Sequence, residues 1–73
     1  MTADELADRR LEILVQELVN QLRTDRGVKH GVDHVGDVDL WRKAARIAGR
    51  RLGIPVRTGV SRDGTEAWAS EGP

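Results

Sequence analysis

The apolar residues of this chain change their spacing at Gly53-Ile54-Pro55, and that change limits the fold more than any other feature. Before it, two stretches repeat hydrophobic residues every three or four positions, the spacing of one helical face. After it, Pro55-Val-Arg-Thr-Gly-Val60 and Thr65-Glu-Ala-Trp-Ala69 flank Ser61-Arg-Asp-Gly64, the composition of two short strands and a tight turn. Two amphipathic helices followed by a β-hairpin make an α+β domain. The expected order is a first helix over 4–24, a connecting loop over 25–38, a second helix over 39–52, a hairpin over 55–69 and a frayed tail over 70–73. All 73 residues belong to one small domain. A chain of this size buries only about 60% of the surface its unfolded form exposes, so its core is thin. There is no cysteine, which removes disulfides and thiolate metal sites as sources of extra stability.

In the first helix, Thr2 or Asp4 is the N-cap candidate, and Asp4, Glu5 and Asp8 suit the positive end of the helix dipole. Leu11, Leu14, Val15, Leu18 and Leu22 form its apolar stripe, with Ala7 and Val19 beside them and Leu6 and Ile13 widening the arc. One short partner helix cannot cover so much. The surplus predicts a homodimer through Leu11, Leu14, Val15, Leu18 and Leu22.

The second helix has a clear beginning and end. Asp39 or Asp37 can cap it, and Gly53 supplies a left-handed stop with Ile54 and Pro55 after it. Leu40, Trp41, Ala44, Ala45, Ile47, Ala48 and Leu52 share one side, and Arg42, Lys43, Arg46 and Arg50 the other. Arg51 lies at the apolar edge and must reach outward from the last turn. The alanines and Gly49 let the leucine ridge of the first helix approach closely. Between the helices, three glycines and valines without clean alternation predict a loop with room for a short strand or turn, mobile and free of metal.

The hairpin admits two registers. A three-residue Arg62-Asp63-Gly64 loop puts Trp68 on the face of Val56 and Val60. A two-residue Asp63-Gly64 loop puts it on the face of Arg57 and Gly59. A core so poor in aromatics favours the first.

Charge is segregated although the total is zero. Residues 1–40 hold five Lys/Arg against nine Asp/Glu, residues 41–62 hold seven and none, and residues 63–73 hold none and three. Arg42, Lys43, Arg46 and Arg50 form a row that Arg57 and Arg62 continue onto the hairpin. Cations on a rigid element neutralise phosphates, and arginine also reads guanine edges. A solvated helix ordinarily mixes both signs. These six residues are the candidate nucleic-acid contacts, with DNA favoured over RNA.

Other chemistries find little support. His30-x-x-Asp33-His34-x-x-Asp37, with Asp39 beyond, brings ligand-type residues together, but His-x3-His needs a helix that the glycines oppose. The histidines read as solvated loop residues and the aspartates as caps, so no metal or cofactor is expected. The two serines, Ser61 and Ser70, lack an identifiable base, and there is no phosphate-binding glycine motif. No enzyme activity is expected. The acidic start and the absence of an apolar run of roughly 20 residues predict a cytoplasmic protein without membrane attachment.

A helix followed at once by a basic hairpin resembles the recognition helix and wing of winged helix-turn-helix proteins. The resemblance covers residues 37–69 and rests on layout, so it assigns no individual residue. The sequence thus predicts a small non-catalytic nucleic-acid-binding regulator. The alternative is an adaptor or inhibitor docking on an acidic or helical protein surface.

Overall fold

The computed structural model describes residues 2–72. Its elements are α1 (Ala3–Asp25), β1 (Gly27–Gly31), α2 (Val32–Val35), α3 (Val38–Leu52), β2 (Val56–Val60) and β3 (Glu66–Glu71). The strands form one antiparallel sheet in the order β1-β3-β2, and α1 and α3 pack against one of its faces. The fold is α+β, with a third, four-residue helix and a third strand beyond the two helices and hairpin expected. No helix among the described residues is long and apolar enough to cross a membrane.

The ends of α1 and α3 are set by local chemistry. Thr2 Oγ1 accepts from the Glu5 amide at 3.2 Å, and Asp37 Oδ1 accepts from the Leu40 amide at 3.0 Å. Asp37, not Asp39, is therefore the cap of α3. At the other end Gly53 turns left-handed at φ 71°, and its amide and that of Ile54 donate to the carbonyls of Arg50 and Gly49 at 3.2 and 3.0 Å. This paired closure is the Schellman arrangement expected of Gly-Ile-Pro.

Helix α3 lies close to everything it touches. Ala44, Ala45 and Ala48 are fully buried against Val15, Leu18, Val19 and Leu22 of α1 and Ala67 and Ala69 of β3. Trp41, 3% exposed, supplies the one large ring of this core. At Gly49 the approach is tighter still: a β-carbon there would meet Val56 Cβ at 2.9 Å and the Ile54 carbonyl oxygen at 3.1 Å.

Three expectations are corrected by this packing. The stretch 25–38 is more ordered than the mobile connecting loop expected: the short strand for which it left room is β1, paired to β3 from Gly27↔Ser70 to Gly31↔Glu66, and α2 follows it. Its alternation is real, but the inward positions are Val28 and His30, so counting valines hides it. The tail is not frayed. Ser70 and Glu71 belong to β3, and the Gly72 amide donates to the Pro55 carbonyl at 3.1 Å; Pro73 lies outside the described residues.

The third correction concerns Trp68, which pairs with Gly59 and therefore lies on the face of Gly59 and Arg57, away from the helices. Four residues separate the bonded pair Ser61–Glu66, with Gly64 left-handed at φ 76°. That length gives the same strand parity as the two-residue loop. Alanines take the inner positions of β3 because α3 comes too near to admit an indole.

Candidate nucleic-acid interface

The structure divides the six cations read from the sequence. Lys43, Arg46 and Arg50 are exposed on α3 at i, i+3 and i+7, one row on its solvent side. None of the three forms an ion pair or side-chain hydrogen bond among the described residues. Arg42 departs from the row: it is half-buried, and its Nε donates to Thr58 Oγ1 of β2 at 3.0 Å. It fastens helix to sheet. Arg57 alternates with Thr58 and so projects from the opposite face of the sheet. Arg62 is exposed on the hairpin tip.

The contacts also orient these groups. Gly49 meets Val56 and Arg42 meets Thr58, so α3 and β2 run in opposite directions. The hairpin tip with Arg62 therefore lies toward the N-terminal end of α3. Toward the other end, Arg46, Arg50, Ile54, Pro55 and Val56 line a shallow depression of about 480 Å³. Asp39 is the single acid on α3, one turn before Lys43, where the helix dipole favours it.

The hairpin tip is rigid through its own polar groups. Asp63 Oδ1 accepts from the Ser61 hydroxyl at 2.7 Å, the Thr65 hydroxyl at 2.8 Å and the Thr65 amide at 3.1 Å. The Ser61 hydroxyl oxygen accepts from the Glu66 amide at 3.0 Å. Donation by Ser61, then by Thr65, lowers the Asp63 carboxyl from its ordinary value to about 2. Arg62 thus stands on a fixed turn.

Arg51 is committed elsewhere. Its two terminal nitrogens donate to the two carboxylate oxygens of Glu12 on α1 at 2.8 and 3.0 Å. This forked bond holds the Glu12 carboxyl below its usual range and the Arg51 guanidinium above its own. Both groups are exposed, so the pair orients the helices more than it stabilises them.

The histidine stretch organises differently from the loop expected. His30 points inward from β1, 3.2 Å from Gln21 Oε1 through Nε2, with its ring edge toward Trp41 at 6.1 Å. His34 stacks on His30 at 5.8 Å. Together with Leu14 and Glu17 they border a cavity of about 220 Å³. No group of three or more His, Asp or Glu among the described residues is placed to hold a metal ion.

The residues assigned to dimerisation are also divided. Val15, Leu18 and Leu22 are buried by their own chain, Leu18 to 2% exposure, so they cannot form an interface between copies. Leu11 and Leu14 are half-buried at the edge of the core. The large apolar side chains left open on α1 are Leu6 at 45% and Ile13 at 55%. Sequence reasoning placed the stripe correctly but underestimated its cover, because β1 was not expected beneath it.

Lys29, not among the six cations read from the sequence, shares the outer sheet face with Trp68. The signal was the alternation Val28-Lys29-His30. No protein-family model matches this chain, and neither does any curated protein or any solved structure.

Proposed function

We propose that this chain is a small non-catalytic regulator that binds duplex DNA through Lys43, Arg46 and Arg50 of α3, with Arg62 on the hairpin tip as a flanking phosphate contact. One observation carries the reading: three unpaired cations stand in one row on a helix whose opposite side is locked into the core by alanines. A rigid row costs little entropy to bring against phosphates, and an α-helix fits the major groove of B-DNA at about 12 Å width. The deep, narrow major groove of A-form RNA does not admit one, which favours DNA. The order helix, strand, helix, helix, strand, strand supports the likeness to winged helix-turn-helix proteins, with α3 as recognition helix and the β2–β3 hairpin as wing. Arg42 and Arg57 leave the proposed contact set, the first tied to Thr58 and the second on the far face.

The same reading includes a homodimer in the cytoplasm, moved from the middle of α1 to its first half. Residues 2–10 are exposed throughout, and Leu6 and Ile13 lie seven apart on one stripe. A second copy would cover that stripe and present two α3 rows to a duplex.

The test is duplex binding as a function of salt. Four phosphate contacts, at about −0.9 each, give a log–log slope of about −3.6. A folded protein that shifts no duplex at 50 mM salt would sink this reading. Capture of a protein partner that depends on Arg46 and Arg50 would then favour the adaptor.

A further inference from the structure

The outer face of the sheet carries no helix, and its residues are not those of an idle surface. The register sets out two neighbouring rows. One runs Lys29, Trp68, Gly59 across β1, β3 and β2, and the next runs Gly27, Ser70, Arg57. An indole and a serine occupy the middle strand, cations stand at two diagonal corners, and glycines stand at the other two. Trp68 lies over Gly59 so closely that a β-carbon there would be 2.7 Å from its Cζ2 and 2.9 Å from its Cε2. On the β1 side of the ring, Gly27, Lys29, Trp68 and Ser70 border an open trough of about 420 Å³. Glu66, two residues before Trp68 on the same face, closes this arrangement toward the hairpin.

Covering Gly59 explains why the indole lies where it does. It does not explain the cations on both sides, neither of which forms an ion pair among the described residues. Lys29 stands directly across from Trp68 on β1, about 5 Å away, and Arg57 stands diagonally from it on β2, about 7–8 Å away, with its side chain laid toward Gly72 at the end of the same face. A base stacked beside an indole, with its phosphates drawn to cations on either side, is how sheets hold single-stranded nucleic acid. Duplex DNA does not fit here, since its bases are already stacked on each other.

We infer that the outer sheet face, through Trp68 with Lys29 and Arg57, is a binding site for a base and its phosphates in single-stranded nucleic acid. The site is separate from the α3 face and does not depend on it. A protein holding both would grip a duplex by α3 and an unpaired strand by the sheet.

The experiment follows tryptophan emission of the whole chain during titration with oligothymidylate at low salt. Trp41 is 3% exposed, so a change in emission reports Trp68. Emission should be quenched to saturation, and Lys29→Glu with Arg57→Glu, which keeps the indole, should weaken binding about tenfold or more. Trp68→Thr should abolish the quenching, with circular dichroism showing that the sheet persists. Arg46→Glu with Arg50→Glu should leave the quenching intact while losing the duplex, so the two sites can fail separately. Unchanged emission at saturating oligothymidylate, or the Lys29/Arg57 variant binding like the parent, would overturn the inference. So would self-association lost on Trp68→Thr, which would assign the face to a second copy.

Discussion

Gly49 faces two opposing demands. Helix propensity alone favours alanine at that position by about 1 kcal/mol. Against it stand the Val56 Cβ and the Ile54 carbonyl oxygen, at 2.9 and 3.1 Å from where the new methyl would sit. The carbonyl belongs to the turn that closes α3 and cannot swing aside. Overpacking of this kind costs about 1–3 kcal/mol, so Gly49→Ala should lower the urea midpoint with no change in slope. A raised midpoint would mean that α3 and β2 are less closely apposed. Asp63 makes a prediction in pH. Its carboxyl is lowered from 3.8 to about 2 by Ser61 and Thr65, so its contribution to the turn is present above its unfolded value. It is lost as pH falls through about 2. The protection of the Thr65 amide, measured against its intrinsic exchange rate at each pH, should therefore fall from pH 4 to pH 2, and Asp63→Asn should remove that change in protection. An equal pH response in both proteins would contradict the turn described.

At the level of elements, β1 decides how the protein closes. Because β1 pairs with β3 along its length, amides bonded between these strands should exchange slowly, unlike a mobile loop. Fast exchange throughout 27–31 would return the stretch to a loop. Leu18→Ala, at the centre of the α1–α3 contact, should cost about 2–5 kcal/mol by creating a cavity that alanine neighbours cannot fill. The long elements were legible in the sequence: α1 and α3 from their three- and four-residue spacing, the α3 stop from Gly53-Ile54-Pro55, the hairpin from Ser61-Arg-Asp-Gly64. What escaped was decided by tertiary packing. Strand β1 hides its pattern because His30 takes an inward position and bonds Gln21. Trp68 escaped because only the closeness of α3 makes alanine the right inner residue and pushes the indole outward. Of the basic row, helical geometry predicted Lys43, Arg46 and Arg50 together. It could not show that Thr58 would hold Arg42, or that strand parity would send Arg57 to the far face.

For the whole molecule, zero net charge is a sum of separated parts. Among the described residues, the acid of the first half and the bases of α3 meet directly only where Arg51 bonds Glu12, leaving the α3 row free to act on a partner. The exposed stripe of α1 has its own test. Leu6→Asp with Ile13→Asp touches no buried position, so unfolding of the monomer should shift by no more than about 0.5 kcal/mol. Sedimentation should show the parent as a dimer and this variant as a single chain of 8.1 kDa; a parent that remains at 8.1 kDa at all concentrations would remove the dimer from the account. In the function proposed, α3, and not charge in general, holds the duplex. Arg46→Glu and Arg23→Glu each change the net charge by two, and both positions are exposed, but Arg23 lies in the last turn of α1. Duplex affinity of the two folded variants, measured by anisotropy at one salt concentration, separates them. The account predicts a loss of tenfold or more, about 1.4 kcal/mol, for Arg46→Glu and an affinity near the parent's for Arg23→Glu. Equal affinity in the two variants would contradict it.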